Sequence, residues 1–251
     1  MSKVRAGLLV LCAWCFAAPA FAIDGQILIN QSTVMAAGGF PYKITQPGSY
    51  KLSGNLVVSG STDAIDIDTN NVTIDLNGFS IIGPGVCTGS GASISCTVTS
   101  RSAIYAPASN IAVRNGFLQG FGYGVYVSGS PFTVEEVTAT GNGTMGMYLI
   151  AGGQGSLVRR CVASLNGSGG GIYAESSTVT ENVANYNGGG GIGANGSTVT
   201  NNVANFNGTY GLSIINGVFG SNTFDGNGSY PVVNDGLSQG NNYCGSNTTP
   251  C

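Results

Sequence analysis

Over most of the chain, Val, Ile or Leu alternates with polar residues for three to five positions before Gly, Asn or Ser interrupts the run. Alternation of period two predicts short strands buried on one face, and no segment carries the 3.6-residue period of a helical repeat. Two adjacent segments are close copies: STVTENVANYNGGGGIGANG over 177–196 and STVTNNVANFNGTYGLSIIN over 197–216, a period of twenty residues. Looser copies begin at Phe132, Ser156 and Val218, which puts Asn142, Asn166, Asn187, Asn207 and Asn227 in one column. A further pair, AIDIDTNNVTIDLNGF from Ala64 and AIYAPASNIAVRNGF from Ala103, matches at 39 residues, the excess being an insertion around Cys87 and Cys96.

Repeats of twenty to twenty-five residues with such strands and Gly/Asn corners predict an all-β fold, a single-stranded right-handed parallel β-helix. One coil cannot bury its apolar face alone, so coils stack about 4.8 Å apart and the open ends need caps. The expected organisation is a signal peptide over 1–22, an N-terminal cap with the first strands over 23–62, and β-helix coils over 63–236. A disulfide-closed insertion falls near 83–99 and a C-terminal cap loop over 237–251. Residues 39–55, with the phrase QPGSYKLSGN, read as the N-terminal closure, and the Asn column reads as corner side chains bonding to neighbours above and below.

With NVTIDLNGF (71–79), NIAVRNGF (110–117), the cysteine loop and the NG-x-x-GI coils, the mature chain resembles bacterial right-handed parallel β-helix repeat proteins of the pectate-lyase-like superfamily. That resemblance implies the fold. Polysaccharide lyases and hydrolases occur in the superfamily beside members without an assigned activity, so the fold alone transfers no chemistry.

The N-terminus adds a compartment. Lys3 and Arg5 precede an apolar stretch over 6–18 and the triplet Ala20-Phe21-Ala22, the pattern of a secretory signal cut after Ala22. Cys12 and Cys15 follow Leu11 and Trp14, not the small residue that lipoprotein processing uses. The stretch is too short to span a bilayer and no later run of about eighteen apolar residues exists, so an exported chain without a membrane span is expected, periplasmic or extracellular. After cleavage six Lys and Arg face 11 Asp and Glu, which argues against a nucleic-acid partner. An oxidising compartment allows Cys87 to pair with Cys96 and Cys244 with Cys251, each pair enclosing a short polar loop, and leaves Cys161 as a buried thiol.

Aligned coils also map the surface, because matching positions sit one above another. One outward column runs Asp75, Arg114, Glu135, Arg159 and a neighbouring one Glu136, Arg160, Glu181, with alternating charge that reads as a register device. A third runs Asp66, Tyr105, Tyr126, Tyr148, Tyr173, Gly193, Ser213. Its four tyrosines form an aromatic strip suited to sugar rings, or a self-stacked ladder that shields the sheet.

The chain has no histidine, which removes Ser-His-Asp and Cys-His nucleophilic sites and histidine metal sites. The Gly-His-Gly and Arg-Ile-Lys elements of polygalacturonase-like enzymes are missing too. Asp66 and Asp68, preceded by Asp63, are the remaining catalytic candidates; paired carboxylates serve an inverting glycosidase or hold calcium, though neither a cofactor nor a metal site is expected. Thr178, Thr180, Thr198 and Thr200 form too short a row for ice binding. The reading favours a non-catalytic solenoid of the cell envelope or extracellular space, with polysaccharide as its partner along Tyr105, Tyr126, Tyr148 and Tyr173. The alternatives are a polysaccharide lyase or glycoside hydrolase at Asp66 and Asp68, and a structural or adhesion protein with an unidentified protein partner.

Overall fold

The computed structural model describes residues 25–97, 100–150, 155–233 and 235–245; residues 1–22, where a signal peptide is expected, and Cys251 lie outside them. The alternating phrases form a parallel solenoid of about ten turns. Successive turns contribute strands to a nine-stranded sheet that runs from Tyr42–Ile44 through Ile65–Ile67 and Ser102–Ala106 to Tyr230–Val233. The rest of each turn joins a 13-stranded sheet.

Inward positions stack into continuous apolar columns. Ile74, Val113, Val134, Val158, Val179, Val199 and Phe219 pair in register down one sheet. Ile65, Ile104, Val125, Met147, Ile172, Ile192 and Leu212 do so down the other. All are buried, and each such side chain contributes roughly 1.5–3 kcal/mol of hydrophobic burial.

The expected Asn column lies inside the corner. In each of Asn142, Asn166, Asn187 and Asn207, the backbone N–H and Nδ2 donate to Oδ1 of the next asparagine, at 2.9–3.1 Å. Nδ2 also donates to a backbone carbonyl of the preceding turn, so the buried amides are saturated. A glycine near the start of each following strand of the nine-stranded sheet has a steric cause: a Cβ on Gly124, Gly146, Gly171, Gly191 or Gly211 would come within 2.7–3.2 Å of a ladder Nδ2. A second ladder, Asn182, Asn202, Asn222 and Asn242, repeats the pattern where the 13-stranded sheet bends. At that bend Asn115, Glu136, Arg160, Glu181, Asn201 and Ser221 all take positive φ, between 51° and 61°.

Residues 39–55 act as more than a closure. Tyr42–Ile44 and Gly48–Leu52 already pair with the next turn, because Tyr50 and Leu52 point inward like any coil residue. The end is covered by Ile27–Ile29 and the short helix Gln31–Ala36, capped by Asn30 Oδ1 accepting from the Thr33 N–H at 3.0 Å, with Val34 buried beneath. At the far end Cys244 is disulfide-bonded.

The insertion is a hairpin closed by Cys87–Cys96. It leaves the solenoid beside Gly120, where the Gly83 N–H donates to the Gln119 carbonyl and the Gly85 N–H to that of Gly120. It then runs across several turns along the corner that precedes the nine-stranded sheet. Its tip is held there by the Gly91 N–H donating to the Tyr186 carbonyl at 2.9 Å. No helix among the described residues is long and apolar enough to cross a membrane.

Candidate functional site

The nine-stranded sheet carries the tyrosine column in unbroken register: Lys43, Asp66, Tyr105, Tyr126, Tyr148, Tyr173, Gly193, Ser213. Parallel pairing spaces the tyrosines by one inter-strand step, and the ring centroids lie 5.4, 5.2 and 5.4 Å apart along the column. All four are half-buried. Tyr123 joins them, at 5.4 Å from Tyr126 and 5.7 Å from Tyr148. Gly124 and Val125 both face inward, so Tyr123 and Tyr126 reach the outer surface at a spacing of three instead of two.

Tyr173 closes the strip. Its ring lies over Gly193, where a Cβ would sit 2.7 Å from a ring carbon. Its hydroxyl donates to Glu175 Oε1 at 2.7 Å and accepts from Asn195 Nδ2 at 2.8 Å. Burial, then the bond to the Glu175 carboxylate, pushes this phenol up to about 12.

The opposite end is acidic. Asp66 is half-buried between Lys43 and Tyr105, and its Oδ1 is inaccessible and has no hydrogen-bond partner. Burial first, then the neighbouring Asp63 and Asp68, pushes its carboxyl up to about 6, against the opposing effect of Lys43 and Arg101. Asp68 is exposed, just past the strand, with its N–H donating to the Ile44 carbonyl at 2.9 Å. Asp63 accepts from the Ser102 N–H and pairs with Arg101 at 3.8 Å. An open cleft of about 340 Å³ is lined by Asp63, Ser100, Arg101, Ser102, Tyr105, Tyr123 and Tyr126. Among the described residues, Ser100 and Arg101, just past the insertion, line this cleft beside the tyrosine strip, whereas Gly91 at the insertion's tip sits over the corner at Tyr186. Among the described residues no group of three or more His, Cys, Asp or Glu side chains is placed to hold a metal ion.

The arginines that alternate with carboxylates are matched on the other sheet. Arg114 meets Asp75 at 3.4 Å, Arg159 meets Glu135 at 2.6 Å and Arg160 meets Glu136 at 2.8 Å. These partly exposed pairs, each bridging adjacent turns, contribute about 0.2–1 kcal/mol each.

Sequence reasoning placed Tyr105, Tyr126, Tyr148 and Tyr173 in one column with Asp66, as the structure has them. It missed Tyr123 and the cleft. The Tyr-Gly-Val-Tyr phrase over 123–126 was the available signal, had the glycine been read as an inward position.

Residues 102–248 match the family model of the right-handed β-helix region, and the chain belongs to that family. No curated protein and no solved structure matches the chain.

Proposed function

We propose that the protein is an exported, non-catalytic β-helix that binds polysaccharide along the tyrosine strip, in the periplasm or outside the cell. The observation that carries this reading is the run of Tyr105, Tyr126 and Tyr148 in register with Tyr123 beside it, opening on a cleft with polar walls. Aromatic side chains with an apolar body and a polar tip suit pyranose rings, which have apolar faces and hydroxyl edges. An extended glycan fits a strip that crosses several strands. The test is a glycan panel incubated with the mature protein, with and without calcium, scored for both retention and cleavage. Retention without new reducing ends or unsaturated products, lost in Tyr126→Ala/Tyr148→Ala, is the expected result; unchanged retention in that variant removes the reading.

Asp66 favours a second reading, a glycoside hydrolase or lyase acting at the head of the strip. A carboxyl that holds its proton near pH 6 has the character of a general acid. This reading requires cleavage products that disappear in Asp66→Asn.

A further inference from the structure

We propose that the strip is selective for uncharged glycans over polyuronates, with Asp66 and Asp68 as the discriminating residues. The inference rests on the glycan-binding reading above and names the class of glycan.

Its first ground is the placement of cations. A polyuronate needs a row of Lys or Arg, or metal ions bridged by protein carboxylates. Among the described residues each of the four arginines is already paired with a carboxylate: Arg101 with Asp63, Arg114 with Asp75, Arg159 with Glu135 and Arg160 with Glu136. The two lysines stand beside carboxylates as well, Lys43 next to Asp66 in the tyrosine column and Lys51 next to Asp75 on the other sheet. No row of cations follows the strip, and no described carboxylate cluster is placed to bridge a metal.

The second ground is the charge the strip presents. Asp66 heads it, Asp68 lies two residues on, and Glu175 sits at the far end against Tyr173. At Asp66 the raising influence of Asp63 and of Asp68 each outweighs the lowering influence of Lys43 and of Arg101, so the local potential is negative. A uronate laid over Tyr105 would place its carboxylate one strand step from Asp66, with which Tyr105 pairs in register. Its hydroxylic counterpart meets only hydrogen-bonding groups: Ser100 and Ser102, tyrosine hydroxyls and carboxylate acceptors. Repulsion between exposed charges a few ångströms apart amounts to about tenfold in affinity per carboxylate at low salt and is screened by salt.

Matched polymers on one backbone isolate charge from shape. Affinity electrophoresis of the mature protein through hydroxyethylcellulose and carboxymethylcellulose, and through methyl-esterified and de-esterified polygalacturonate, supplies two such pairs. The expected result is preferential retardation by the uncharged member of a pair, by about tenfold in apparent Kd at low ionic strength. The preference narrows in added salt and in Asp66→Asn/Asp68→Asn. Equal retardation by both members overturns the selectivity and leaves glycan binding standing; stronger retardation by the charged member overturns the selectivity outright. If no polymer of either pair, and no glycan of the panel, retards the wild type, the binding reading fails and the selectivity with it. The wild-type comparison needs no variant, so it holds whether or not the double substitution folds.

Discussion

Truncating one rung of the buried asparagine ladder should cost far more than its size suggests. In Asn187→Ala the Oδ1 that accepts from the Asn166 N–H and Asn166 Nδ2, both at 3.0 Å, is removed. The Nδ2 that donates to Asn207 Oδ1 and to the Ala163 carbonyl, both at 2.9 Å, goes with it. The buried Asn166 N–H then loses its partner, Asn166 Nδ2 keeps only the Ala139 carbonyl of its two acceptors, and the Ala163 carbonyl loses its side-chain donor, while Asn207 Oδ1 keeps the Asn187 backbone N–H. At about 1–3 kcal/mol for each unsatisfied buried group, with partial relaxation, the expected loss is roughly 3–5 kcal/mol. Asn187→Asp keeps the size but replaces a donor with an acceptor facing two acceptors, so at neutral pH it should cost at least as much. Urea unfolding of the mature protein followed by far-ultraviolet circular dichroism measures both, with exposed Thr178→Ala as the control expected to stay within about 0.5 kcal/mol. A loss below about 1 kcal/mol in Asn187→Ala, or an Asp variant as stable as wild type, would refute the claim that the amides are saturated and structurally essential.

Two further predictions concern single groups. Asp66 holds a carboxyl raised from 3.8 to about 6, so its contribution to stability is complete below pH 4 and is lost as the pH rises through 6. Asp66→Asn should therefore gain on wild type between pH 4 and pH 7, by about 1 kcal/mol once the half-buried position is allowed its solvent screening; parallel stability profiles of the two proteins would contradict this. Cys161 is buried and its thiol is pushed up to about 12, mainly by burial, so Ellman's reagent should not label it in the native protein and should label it on unfolding. Rapid native labelling would show that the interior column around it is open.

The repeat made the coil register legible, because residues in matching positions of a parallel solenoid must stack. That is why the Tyr105 to Tyr173 column, the charge columns and the Asn142 to Asn227 ladder follow from alignment alone. Three features did not. The Asn182 to Asn242 ladder was present at the same period, but asparagine at a bend looks like any polar corner residue until positive φ at Glu181 and Asn201 shows the chain folding inward around it. Tyr123 was hidden because a two-residue alternation does not anticipate two consecutive inward positions, which Gly124 permits by leaving room for the ladder amide. The path of the insertion depends on contacts with turns remote in sequence, such as Gly91 with Tyr186, and no local pattern encodes those.

The most direct test of the central claim is a titration of the mature protein, with ring-labelled tyrosines, by the best-retained glycan of the panel, read by nuclear magnetic resonance. Binding along the strip predicts shifts at Tyr105, Tyr123, Tyr126 and Tyr148. Tyr186, stacked on Phe206 at the corner, and Tyr243, near the C-terminal end, should stay unmoved. Shifts confined to Tyr186 or Tyr243, with the strip silent, would contradict it.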